Sequence, residues 1–171
     1  MEDELRYGLM SNYRRSWSKK GVRAVVHNQQ QYANAYCYSA VSPLSGDSFH
    51  LTRFHRVEGS VTKLFLIELK KQHPNDHVVV VWDNAPFHRP KYLREIPGMT
   101  IVALPPYSPQ LSPAERFFEE VRKATANETF RTLADQEATI EANIKELAGD
   151  SARMRQLCGY AWIREQYEMV F

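Results

Sequence analysis

The feature that most constrains this fold is the run Val78-Val79-Val80-Val81-Trp82, followed at once by Asp83-Asn84-Ala85-Pro86-Phe87-His88. Four consecutive valines, apolar and β-branched, favour a strand. Their lack of alternation predicts burial on both faces, as in a central strand of a sheet covered by helices on each side. The turn residues Asp83, Asn84 and Pro86 then end the strand. A carboxylate, an amide and an imidazole are thus delivered at a strand's carboxyl tip, where open α/β sheets hold ligands. An Asx turn before Pro86 would account for Asp83 and Asn84 without any chemistry.

A second stretch shifts the balance towards chemistry. Leu104-Pro105-Pro106-Tyr107-Ser108-Pro109-Gln110-Leu111-Ser112-Pro113-Ala114-Glu115-Arg116-Phe117-Phe118 begins 21 residues beyond Asp83 and holds four prolines within nine residues. Such a segment is stiff and extended. It ends in a helix start, with Ser112 as N-cap, Pro113 at the first helical position and Glu115 three residues after the cap. A capping box alone would explain Glu115. A first-turn glutamate on a rigidly introduced helix is equally placed to face a metal at a neighbouring strand end. The third carboxylate lies in the opening segment, where Asp3, Leu5, Tyr7 and Leu9 alternate with Glu2, Glu4, Arg6 and Gly8. That period of two predicts a strand with Asp3 on the inward face; a frayed acidic terminus is the plainer alternative.

The remaining chain supplies a scaffold for these groups. Residues 13–17 and 22–26 are expected to form a hairpin around Ser18-Lys19-Lys20-Gly21. Residues 32–41 and 49–54 are expected to be strands joined by the turn Ser42-Pro43-Leu44-Ser45-Gly46-Asp47. A helix starts at Gly59-Ser60, with Val61, Leu64, Phe65 and Leu69 on one face and Leu66 and Ile67 widening it, and ends at His73-Pro74-Asn75. Residues 91–94 suit a short helix and 99–103 a short strand. Helices follow over 112–124, over 132–148 with Thr132 as cap and Asp135 three residues on, over 150–157, and in the aromatic tail 160–171. A run of antiparallel strands followed by strands reached through helical crossovers predicts a mixed α/β sheet with flanking helices.

The chain has 171 residues, 43% hydrophobic and 25% charged, with a net charge of +2. That is enough for one domain with a proper core, and the overall field says little about partners. Local charge says more: Arg14, Arg15, Lys19, Lys20 and Arg23 surround Trp17, a cluster able to contact phosphates or simply to be solvated. Cys37 and Cys158 fit no metal or redox spacing and read as reduced buried thiols of a cytoplasmic protein. No apolar run approaches the ~20 residues of a membrane span.

Asp3, Asp83 and Glu115 form an oxygen-only donor set, which suits a hard cation, Mg²⁺ or Mn²⁺. Two such ions ~4 Å apart activate a water or 3′-hydroxyl and stabilise the leaving oxygen of a phosphodiester.

Asp83-Asn84-Ala85-Pro86-Phe87-His88 and the segment from Leu104 to Glu115 together resemble the catalytic core of the mariner-type DDE transposases, in their bacterial insertion-sequence branch. The opening Glu2-Asp3-Glu4-Leu5-Arg6-Tyr7-Gly8-Leu9 resembles that family's first catalytic segment. The 31 residues between Asp83 and Glu115 have the family's order and spacing. The resemblance implies a ribonuclease-H-like catalytic domain spanning 1–171. Its triad of Asp3, Asp83 and Glu115 would hold two Mg²⁺ (or Mn²⁺) ions, nick element ends and transfer the exposed 3′-hydroxyl to target DNA, usually at a TA step. It also implies a homodimer on DNA, acting at the bacterial nucleoid. Asn84 and His88 would lie beside the metals, supporting them or touching DNA, although a buried hydrogen-bonded histidine explains His88 equally well. Arg122 on the Glu115 helix, together with Arg14, Arg15, Lys19 and Lys20, would contact DNA; Arg116 is better explained as solvated helix surface. Tyr107 would touch DNA or cover the core.

Ser112 and Phe118 stand where the family usually has Asn and Trp, cap for cap and aromatic for aromatic. Only Met1 and Glu2 precede Asp3. The expectation is therefore the second frame of a split transposase gene or a truncated copy, lacking the first half of the central strand and the helix-turn-helix region that the family carries upstream. Two other readings stay open: a non-mobile nuclease of the same fold, and an inactive or repurposed fragment that binds DNA or a full-length transposase.

Overall fold

A computed structural model describes residues 1–170. The element order is β1 (Glu2–Met10), β2 (Gln30–Val41), β3 (Ser48–Phe54), α1 (Gly59–Gln72), β4 (Val78–Trp82), β5 (Met99–Ala103), α2 (Ala114–Lys123), α3 (Leu133–Ala148), α4 (Ser151–Cys158) and α5 (Ala161–Val170). Short 3-10 turns cover Pro86–His88, Lys91–Glu95 and Pro109–Leu111.

β1, β2 and β3 form an antiparallel meander, with Asp3 opposite Ser39 and Ser39 opposite His50. Alternation in β1 sends Leu5 and Tyr7 to one face, where Ala35 and Cys37 of β2 join them. That face packs on Phe117, Phe118 and Val121 of α2, Ile140, Ile144 and Leu147 of α3, and Met154 and Cys158 of α4. Tyr38 and Ala40 of β2 pack the other way, on Phe65, Leu66 and Leu69 of α1 and on Val80 and Trp82 of β4. The meander is thus a middle layer with apolar contacts on both faces, which suits an α/β architecture. Both cysteines are free and buried, and no helix among the described residues is long and apolar enough to cross a membrane.

The expected single mixed sheet is not observed. β4 and β5 pair in parallel as a separate two-stranded sheet. The side chains of Glu2 and Glu4 reach His88, just beyond the carboxyl end of β4. No β1 backbone therefore runs alongside Val78 to Val81 to complete a ladder. The space beside them is a groove of about 630 Å³, lined among others by Met1, Val41, Phe49, Val79, Val81 and Trp162. The expected two-sided burial of the valine run is not observed. Val80 and Trp82 are buried against α1, with Val78 packed partly beside them, whereas Val79, like Val102 of β5, is largely exposed.

Three local expectations also change. Residues 13–26 form no strand ladder; the loop closes through a Val22 N–H to Lys19 C=O bond and a Tyr13 Oη–H to Asn28 bond. Its side chains are mostly exposed, and alternation without burial does not stabilise a hairpin. On α1, Leu64 and Ile67 point outward, while Thr62 takes a buried place beside Phe65. Phe171 of the expected C-terminal helix lies outside the described residues.

Candidate active site

Asp83 stands one residue beyond β4, and its Oδ1 accepts two hydrogen bonds. One comes from the Ala85 N–H at 2.8 Å, closing an Asx turn; the other partner is His88 Nδ1 at 2.9 Å. The side chain remains 59% exposed, which leaves Oδ2 free of protein partners. Asn84 donates from Nδ2 to the Leu104 carbonyl. It thereby ties the end of β4 to the start of the proline loop, a holding role rather than a ligand's.

Asp3 sits on β1, its Oδ1 accepting the Glu4 N–H at 2.8 Å. Burial pushes its carboxyl up to about 6, and the nearby carboxylates of Glu115 and Asp83 push in the same direction. Glu115, from a helix start, and Asp83, from a strand end, therefore both act on Asp3, although among the described residues their ligand atoms do not close to the 4.8 Å found for Glu2, Glu4 and His88. Like charges gathered in this way favour either protonation or a divalent cation. Oxygen donors with one free carboxylate oxygen on Asp83 fit Mg²⁺ or Mn²⁺. The counter-charge on the chain is Arg122, whose guanidinium lies 3.7 Å from Glu115 and over the Phe118 ring.

Glu115 is in the first turn of α2, but the expected cap is absent. Pro113 is the N-cap, without a side-chain bond, and it is the Ser112 carbonyl that accepts the Glu115 N–H. Ser112 is turned inward and buried, so its hydroxyl is not available to the helix end. Tyr107, with φ 56°, projects fully exposed from the proline loop.

The basic loop is rooted beside α2. Arg14 N–H bonds Asn127 Oδ1, its guanidinium reaches the Glu119 carbonyl, and Asn12 Nδ2 donates to the Arg122 carbonyl. Arg15, Lys19 and Lys20 are exposed and make no ion pair among the described residues, and Trp17 stands fully in solvent between them. Arg116 pairs with Glu119 on the helix surface.

The structure adds two residues that the sequence reading left on the outer face of β1. Glu2, Glu4 and His88 bring ligand atoms within 4.8 Å of one another, all three well shielded from solvent. His88 Nε2 lies 3.1 Å from Glu4 Oε1 and 3.5 Å from Glu2 Oε2. Burial raises the Glu4 carboxyl to about 9, with Asp3 and Asp83 adding to it; burial likewise holds Glu2 well above the ordinary carboxylate range, aided by Glu4. The only sequence signal was the Glu-Asp-Glu run itself, whose alternation put Glu2 and Glu4 on the face opposite Asp3 without showing that His88 meets them there.

A family model described as DDE superfamily endonuclease matches residues 1–138, and the chain belongs to that family. No curated protein matches the chain. Among solved structures it is similar to the Mos1 transposase paired-end complex with the left transposon end (16% identity, TM-score 0.62, covering 92% of this chain and 54% of that one). It is also similar to the Mos1 mariner paired-end complex with Mn (16% identity, TM-score 0.61, 93% and 55%) and to the corresponding complex with Mg (17% identity, TM-score 0.58, 93% and 55%). The chain spans about half the length of those proteins.

Proposed function

We propose that this chain is the catalytic domain of a mariner-type transposase of the bacterial insertion-sequence branch, built on a ribonuclease-H-like fold and acting on DNA in the cytoplasm. What supports this reading is the family match over residues 1–138, together with Glu115 and Asp83 both lying near enough to act on the Asp3 carboxyl. Asp3, Asp83 and Glu115 would hold two Mg²⁺ or Mn²⁺ ions. Bound there, such ions make a water or a 3′-hydroxyl nucleophilic and neutralise charge on the leaving oxygen. The chain's own contribution is placement. His88 and the Ala85 N–H hold Asp83 by one oxygen, Asn84 anchors the strand end, and Arg122 offsets Glu115. Arg14, Arg15, Lys19 and Lys20, on a loop rooted beside α2, supply phosphate contacts to an element end. The proposed partners are element-end and TA target DNA, with the protein acting as a homodimer on them.

The test is the melting temperature with and without Mn²⁺ for wild type and for Asp3→Ala, Asp83→Ala and Glu115→Ala. A rise in wild type that all three variants lose supports the triad. A rise kept by Asp3→Ala removes Asp3 from it, and no rise in folded wild type favours a fragment that binds without cutting.

A further inference from the structure

We infer that Glu4 is a positioning residue for this site, the common support of both aspartates. Its backbone N–H bonds Asp3 Oδ1, and its side chain, through His88, sets the direction of Asp83. The inference rests on the reading of Asp83 as a metal ligand.

The two halves of the support are of different kinds. The Glu4 N–H to Asp3 bond is local, between adjacent residues of β1. The other half spans the fold, because Glu4 and His88 are 84 positions apart. His88 is 2% exposed and lies flat on Trp82, with centroids 4.3 Å apart and planes 2° apart, while Phe87 meets it edge-on at 4.5 Å. The stack fixes the plane of the ring but not which of the two rotations about Cβ–Cγ, 180° apart and sharing that plane, it takes. That rotation is set by the two nitrogens, one at Asp83 and one at Glu4. Glu4 therefore decides whether Nδ1 stays on Asp83 Oδ1. Asp83 needs such a hold: its exposed side chain has otherwise only the Ala85 N–H, on the same oxygen. Partners of this kind behind a ligand are worth about 10- to 100-fold in metal affinity.

The experiment is Mn²⁺ titration of the full chain, followed by the paramagnetic signal of free Mn²⁺, with each variant's metal-free melting recorded alongside. Glu4→Ala is expected to weaken binding about 10- to 100-fold, and Glu4→Gln, which still reaches Nε2, to recover most of it. Glu4→Asp, which keeps the carboxyl but is too short to reach, serves as the second reading if the alanine variant fails to fold, and is expected to bind like it. In a His88→Asn background, where the amide keeps the Asp83 contact but cannot reach Glu4, adding Glu4→Ala is expected to change nothing further. Unchanged affinity in folded Glu4→Ala and Glu4→Asp overturns the inference. So does a Gln variant no better than Ala, or equal losses with and without His88. Binding that survives Asp83→Ala but not Glu4→Ala would place the ion among Glu2, Glu4 and His88 and overturn it too. Absence of Mn²⁺ binding in wild type would overturn the metal reading of Asp83 itself, and this inference with it.

Discussion

Trp82 and His88 lie face to face, centroids 4.3 Å apart, at the point where β4 gives way to the turn that carries Asp83. Trp82 is also a floor of the α1 core, almost wholly buried. One side chain thus serves the packing and the histidine together. Trp82→Ala is expected to cost about 3–5 kcal/mol, as for other large aromatic truncations in cores. Denaturant unfolding followed by circular dichroism checks it; a loss below about 1 kcal/mol would contradict the packing described.

The buried Glu4 gives the metal-free protein an unusual pH profile. Its folded carboxyl titrates at about 9 against an ordinary 4.5, chiefly because it is buried. Between those values the folded state holds more protons than the unfolded, so stability is complete below the lower value and falls as pH rises towards the upper. Chemical unfolding in chelator at pH 5, 7 and 9 is expected to show this decline, and Glu4→Gln to flatten part of it. A wild type that gains stability across that range would refute the assignment.

His50 works in the opposite sense. Stacked on Phe117 and buried, its imidazole is lowered from 6.5 to about 4 by desolvation. The unfolded chain takes up the proton first, so this contribution is present above 6.5 and is lost as pH falls through 4. At about 1.4 kcal/mol per unit, it amounts to about 3 kcal/mol of acid sensitivity. His50→Gln is expected to lose much of that slope between pH 6 and 4, measured by unfolding at each pH.

Ser112 and Thr132 look alike as helix starts in sequence but differ in the fold. Thr132 and Asp135 exchange both bonds of a capping box, whereas Ser112 makes no side-chain bond to α2. Thr132→Ala is expected to cost about 1 kcal/mol, and Ser112→Ala, which removes no bond to a helix end, to cost less. Comparing the two melting shifts decides it, and equal losses would restore a cap at Ser112.

If the basic loop contacts phosphates, each cation lost lowers the salt dependence of DNA binding. The triple variant Arg15→Ala, Lys19→Ala, Lys20→Ala is expected to reduce the slope of log affinity against log salt by roughly 3 on duplex DNA. Fluorescence anisotropy at several salt concentrations measures it. An unchanged slope would leave the loop merely solvated.

What the sequence could show was whatever is written locally. The alternation of Leu5, Tyr7 and Leu9, the apolar spacing of α1 and the Thr132 box each encode their own element, and each element is present. The placement of Asp83 at a strand tip and of Glu115 in the first turn of a helix was legible, because the valine run and the proline-led helix start are local patterns. What depends on the neighbour across a gap was not legible. Four valines do not reveal that Val78, Val80 and Trp82 meet the α1 core while Val79 stays exposed. Nor does alternation along β1 reveal that Glu2 and Glu4, on the face opposite Asp3, meet a histidine from the turn after β4. The inward turn of Ser112 is set by the proline loop before it, not by the cap pattern it completes.

The flank of β4 that faces away from β5 carries a last consequence. Backbone N–H and C=O groups along that edge have no strand beside them, and the floor next to them is valine and phenylalanine. An uncovered strand edge of this kind is a template on which a foreign strand can add. Concentrating the polypeptide therefore offers this edge, along with the outer edges of β1, β3 and β5, to strands of other molecules.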